Sequence, residues 1–266
     1  MKKTFIGIAT IVALMGTPVF AADLLVKAPP PPPAWSWTGF YVGVDGGYGW
    51  NQRTGDRDCF NPAGIFFAAC VLQANPTDIR PRGGLIGGEA GYNWQTGIVV
   101  TGIETDLQWS GIRASGTFIA GPPFIGSTYS NTDNMNWFGT ARGRIGLLVT
   151  PHLLAYVTGG VMYAHESVST VLTIPPALIW PANAATTRAG GVAGMGLEYA
   201  FNGNLSAKVE GLYYDLGSLN PRFSCPPAAA TCTPGFTEGG TFGWRGTMVR
   251  AGLNWHFGGG PIYAKD

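Results

Sequence analysis

Charge is scarce in this chain. Of its 266 residues only 12% are Asp, Glu, Lys or Arg, about half the roughly 25% of an average soluble domain, which excludes an ordinary water-covered surface. The formal net charge is +1, which argues against a nucleic-acid partner, since such proteins carry a basic patch. Long apolar runs are missing as well. The stretch from Phe5 to Met15 is far shorter than the roughly 20 residues of a spanning helix, and no later segment reaches that length uninterrupted, so no transmembrane helix is expected in the mature chain. The histidines are His152, His165 and His256, and no nucleophile and base are evidently assembled around them. His165 with Glu166 and Ser167 is the best catalytic candidate, and the expectation is a protein that is not an enzyme and needs no cofactor. The run Gly43 to Gly49 fails as a phosphate loop because no helix follows it.

Cysteine is nearly absent too. Cys59 and Cys70 form one close pair and Cys225 and Cys232 the other. In a chain bound for an oxidising compartment they read as two local loop disulfides. A zinc site is the alternative, but neither pair has the two-residue spacing or neighbouring histidines that zinc favours.

What the chain does have is export and alternation. Lys2 and Lys3 precede the apolar run, and Val19-Phe20-Ala21 supplies a cleavage site, so residues 1–21 read as a secretory signal peptide. Residues 22–36, with Pro29 to Pro33, read as a semi-rigid polyproline spacer. The last apolar stretch, Trp244 to Phe257, puts Phe257, Trp255, Leu253, Ala251, Val249 and Thr247 on one parity and His256, Asn254, Gly252, Arg250 and Met248 on the other. A period of two is a β-strand whose faces meet different surroundings.

Seven further stretches behave alike: Trp37 to Trp50, Gly83 to Trp94, Ile98 to Ile112, Asn134 to Val149, Leu153 to Ala164, Arg188 to Phe201 and Leu205 to Leu216. Leu153 to Ala164 is apolar and glycine-rich on both parities, so its facing stays unassigned. Tight turns at Gln95-Thr96-Gly97, Thr150-Pro151-His152 and Asn202-Gly203-Asn204 alternate with long segments 51–82, 113–133, 165–187 and 217–240. Long loops on one rim and tight turns on the other describe an all-β, eight-stranded antiparallel up-and-down transmembrane β-barrel over residues 37–257, with residues 258–266 as a short periplasmic tail. A soluble sandwich would turn its apolar parity inward and its polar parity to water. Here the polar parity is mostly Gly, Ser and Thr, a poor solvent surface but a good filling for a narrow bore.

Within such a bore Asp45, Glu89, Glu104, Asp106, Glu198 and Glu210 would face Arg142, Arg144, Lys208 and Arg250. Burying them unpaired costs several kcal/mol each, so an interior ion-pair network is expected, either as a structural plug or as the lining of a small ion-selective pore. Trp50, Trp94, Trp109, Trp137, Tyr199 and Trp255 lie near strand ends, where interfacial girdles belong.

The entry Trp37-Thr38-Gly39-Phe40-Tyr41-Val42-Gly43, the stretches Gly102 to Gln108 and Arg142 to Gly146, and the close Val249 to Phe257 together resemble the small outer-membrane β-barrel proteins of alphaproteobacteria. These are the porin-family or outer-membrane immunogenic proteins, related in architecture to the OmpA barrel. The resemblance implies an outer-membrane location, contact with outer-membrane lipid and a structural or surface-exposed role. It also implies that Leu253, Trp255 and Phe257 are read by the barrel-assembly machinery, although the tail 258–266 departs from the usual terminal position. The alternatives are a small-solute porin, disfavoured because open channels need about 16 strands, and a surface ligand-binding or adhesion protein acting through loops 51–82 and 217–240.

Overall fold

The computed structural model describes residues 35–60, 80–119, 126, 128–174, 178–201, 204–219, 222–224 and 237–257. The signal segment, the spacer up to residue 34, the tail 258–266, and Cys70, Cys225 and Cys232 lie outside them. The strands are β1 (Gly39–Phe60), β2 (Arg82–Thr96), β3 (Val99–Ile119), β4 (Thr128–Thr150), β5 (Leu153–Ile174), β6 (Leu178–Ala200), β7 (Leu205–Leu219), β8 (Arg222–Ser224) and β9 (Thr237–His256). Cys59 belongs to β1, and its side chain is outside the described set, so the disulfide expectation also falls outside it.

Each strand pairs antiparallel with the next, β7 passes to β9, and β9 pairs with β1. Eight strands thereby close a ring, and among the described residues the three of β8 pair with β9 alone. Closure satisfies every ladder group within the wall, which is what a strand structure needs in lipid. At the tight end Gly97 turns β2 into β3 with φ +62°, a left-handed conformation that favours glycine.

The strands run well past their expected ends. β1 continues to Phe60, β3 to Ile119 and β5 to Ile174, while β4 begins at Thr128, β6 at Leu178 and β9 at Thr237. Much of the expected long loops is therefore ladder. Alternation marks a strand only while its two faces meet different media. Beyond the apolar band it fades, whereas β-branched stretches such as Ser167-Val168-Ser169-Thr170-Val171 keep their strand preference. Pro181 sits inside β6, paired with Val171 of β5. Among the described residues the pairing of β6 with β7 starts at Gly191, and a proline is tolerated where a strand is paired on one side only.

The facing now follows for all eight strands. Phe40, Val44, Trp50, Ile86, Ile103, Leu107, Ile145, Leu197, Val209, Leu253 and Trp255 point outward and are exposed. β5 turns Leu154, Tyr156, Thr158, Met162 and Ala164 inward, which assigns the strand that alternation left open. β4 breaks its alternation at Asn136. Its register slips between Met135 and Trp137 against both neighbours, a bulge that flips the parity, so Asn136 is exposed and Met135 is buried. At the chain's entry, Trp35 and Ser36, expected in the spacer, are buried together with Trp37.

Candidate functional site

Most of the interior stacks in three layers, with Glu166 opposite Met135 and, farther toward the long-loop end, Asp133 and Asn131 buried as well. All ten charged residues expected in the lumen are buried, and they form one connected cluster in its middle. Arg142 meets Asp106 at 3.2 Å and Glu210 at 3.1 Å, and also pairs with Glu104. Arg144 reaches Glu198 at 2.9 Å and Glu104 at 3.6 Å. Lys208 pairs with Glu89 and lies 3.2 Å from Glu104 and 3.7 Å from Glu210. Arg250 meets Asp106 at 3.0 Å and Asp45 at 3.7 Å and pairs with Glu210.

Strand register explains the arrangement. Glu104 lies directly opposite Arg142, Glu198 opposite Lys208 and Glu210 opposite Arg250, so cross-strand neighbours already match in sign. Glu89 lies opposite Asp106, a like-charged pair that needs cations from across the bore, and Lys208 and Arg250 supply them.

Six carboxylates face four cations, and neutral donors make up the difference. Tyr41 donates to Glu104 at 2.6 Å, Thr140 to Asp106 at 2.6 Å, Gln108 to Asp45 at 3.0 Å and Tyr156 to Glu210 at 3.1 Å. Ser206 and Asn254 both donate to Glu198, at 2.5 and 2.9 Å. The Arg144 guanidinium lies over the Tyr41 and Tyr156 rings, 4.7 and 5.3 Å from their centroids. Glycines make room for these rings: a Cβ on Gly91 would stand 2.4 Å from the Tyr41 hydroxyl, and one on Gly196 2.5 Å from that of Tyr156. Sequence reasoning named the charges and missed these donors, although all but Tyr156 share the inward parity of a charged neighbour.

Two apolar layers bracket the ions. Toward the long-loop end stand Leu85, Ile112, Met135, Phe138, Met162, Val192, Leu212, Trp244 and Met248, all buried in one cluster. Toward the tight-turn end Trp35, Trp37, Val100, Leu154 and Ala200 form a second. Trp37 is fixed there by its Nε1 donating to the Pro151 carbonyl at 3.2 Å and its amide donating to Gln95 Oε1 at 2.9 Å. His256 packs edge-on against Trp35 and Trp37, with centroids 5.4 and 5.8 Å away. Neither layer was foreseen.

The catalytic candidate comes apart in the structure. His165 faces outward and stacks on Trp137 at 5.8 Å, whereas Glu166 is buried on the opposite face, as neighbours on a strand must be. A different trio does assemble: Ser206 Oγ is 2.9 Å and Glu198 3.4 Å from His256 Nε2. Both partners share one ring nitrogen, so no carboxylate orients the other nitrogen as a hydrolytic triad requires, and Trp35 and Trp37 cover the ring. Glu89, Glu104 and Glu210 bring carboxylate oxygens within 4.8 Å of one another, but the Lys208 ammonium contacts all three.

On the outside, the band between the rims carries no charge among the described residues. Trp94, Tyr199, Trp255 and Phe257 mark its lower edge and Tyr48, Trp50, Trp109 and Tyr213 its upper one, all of them exposed. From Thr101, level with Trp94, to Trp109 the strand rises roughly 27 Å, or about 20 Å once tilted, close to the apolar height of an outer-membrane barrel. Leu253, Trp255 and Phe257 project outward beside the β1 seam, where the Phe257 amide donates to the Phe40 carbonyl at 2.8 Å.

A closed antiparallel ring, uncharged and aromatic-edged outside and ionic within, is a transmembrane β-barrel. The chain belongs to the outer membrane protein beta-barrel domain family, whose model matches residues 9–257. It is similar to the 31 kDa outer-membrane immunogenic protein of Brucella melitensis, with 35% identity over 80% of this chain and 87% of that one. It is also similar to the 22 kDa outer membrane protein of Rhizobium leguminosarum, with 28% identity over 71% of this chain and 69% of that one. Among solved structures, the outer membrane protein OprG from Pseudomonas aeruginosa is 12% identical with a TM-score of 0.45, covering 82% of this chain and 97% of that one.

Proposed function

We propose that this protein is a non-conducting, non-enzymatic barrel of the outer membrane that reinforces the envelope and holds its long outer segments at the cell surface. The carrying observation is the three-layer filling: an ion-pair cluster sealed on both sides by apolar side chains leaves a permeating ion no hydrated route. In a planar bilayer the purified chain should insert without stepwise conductance. Reproducible ohmic steps that vanish when Arg142 is replaced would instead establish the pore reading.

Leu253, Trp255 and Phe257 serve as the assembly signal in this reading, since they line the outer face of the closing strand. A Phe257→Ala chain should reach the outer membrane in smaller amount while folding normally in detergent; equal amounts would remove Phe257 from that role. The close spacing of Cys59 with Cys70 and of Cys225 with Cys232 supports two loop disulfides. Thiol labelling of the denatured exported chain, before and after reduction, tests them: label appearing only after reduction is the expected result.

A further inference from the structure

Arg82 and Arg113 lie directly opposite each other across the β2–β3 ladder, and both are exposed on the outer face. Directly opposed side chains in an antiparallel ladder have Cβ atoms about 5 Å apart, and like charges so placed are destabilising. No outward carboxylate lies on β2, β3 or β4 among the described residues to relieve them. The neighbouring Arg245 provides the contrast. It too faces outward near the same rim, but Asp215 stands opposite it on β7. The Arg82–Arg113 pair is thus a focused positive charge with no counter-charge in the described wall.

The height of the pair indicates the kind of anion it suits. Trp50, part of the upper aromatic edge, pairs directly with Arg82, and Arg113 pairs on its other side with the outward Asn134. The two guanidinium groups therefore lie at the headgroup level of the outer leaflet, just above the uncharged band. Guanidinium groups match phosphate oxygens through paired N–H bonds. An open sheet surface contacts an anion from one side only, so an anion tethered in the adjacent leaflet is favoured over one arriving free from water. We infer that Arg82 and Arg113 bind a phosphoryl group of an outer-leaflet lipid, with Trp50 and Asn134 flanking it. This fixes one face of the barrel against a specific lipid, which goes beyond the envelope role above and does not depend on whether the lumen conducts.

The test uses the full chain in phosphatidylcholine vesicles with and without bisphosphorylated lipid A, read as the temperature at which the compact unboiled gel band is lost. Lipid A should raise that temperature. Replacing both arginines (R82Q with R113Q) should weaken the lipid dependence on the order of tenfold in apparent affinity or more, while Arg245→Gln leaves it unchanged. Dephosphorylated lipid A should give wild-type protein no rise, an arm that needs no variant. An undiminished response of the double variant, or an equal response to dephosphorylated lipid, overturns the proposal. Inorganic phosphate reproducing the rise without lipid A would overturn the lipid as its source.

Discussion

The ionic layer and the apolar layer above it fill the same bore between the same strands, yet they hold it in opposite ways. Around Glu210, Arg142 and Arg250 every contact is directional, and each side chain has its place only if its partners keep theirs. Around Ile112, Met135, Phe138 and Met248 the contacts are interchangeable, and what matters is that water is kept out. The first layer specifies register, because sliding any of the seven strands that carry its charges by one residue would bring a buried charge to the lipid face. The second seals. A barrel built only of ions would be specific but wet, and one built only of methionines and aromatics would be dry but tolerant of slipped strands.

That contrast can be broken from the ionic side first. Glu210→Ala removes the partner of Arg142, Arg250 and Lys208 and should cost about 3–5 kcal/mol, seen as a lower urea midpoint for loss of the compact band. Adding Arg250→Met to Glu210→Leu should recover part of that loss, because an uncompensated charge is worse than an absent pair. A simple sum of the single losses would mean that the ions are not coupled. Next in size comes misplacing a charge. Arg250 is at home inside β9, whereas Leu253→Arg, three residues on and facing lipid, should cost about 2–4 kcal/mol near the bilayer midplane. An unchanged midpoint would invert the facing of the whole barrel.

The apolar side should respond more softly. Ile112→Val deletes one methylene from a packed layer and should cost about 0.5–1.5 kcal/mol, with the bilayer recording still silent. The smallest effect belongs to the outer pair: Asp215→Asn opposite Arg245 should change stability by less than about 1 kcal/mol. A loss as large as that of Glu210→Ala would show that rim pairs and lumen pairs do not differ in kind.

The two layers were also unequally legible in the sequence. Asp45, Glu104 and Arg250 could be placed inside because each alternates with residues fit only for lipid, so one period of two gave both facing and pairing. The apolar layer hid for the same reason. Where Met162 points inward, both parities read as apolar, and the stretch from Leu153 to Ala164 showed no polar face at all. The bulge at Asn136 could not be seen, since its signal is a register slip against neighbours rather than a residue type. Trp35 and Ser36 were lost to the proline run before them, which reads as linker up to the point where the chain turns into the bore. The strand extension past Trp50 depends on β9 partners far away in sequence, and the one past Ala164 is a local ladder with β6 in which the two faces no longer differ in composition.

The tryptophan cap at the tight-turn end also sets an order of events in time. Trp37 is held by Gln95 and Pro151, and its ring meets His256, so the cap joins the start of the chain to two turns and to the end of the last strand. The β1–β2 ladder is enough to bring Trp37 to Gln95, but its contact with His256 requires the first and last strands to meet, and contacts so distant in sequence form late because the intervening chain must first be ordered. The floor of the barrel can close only after its wall is complete.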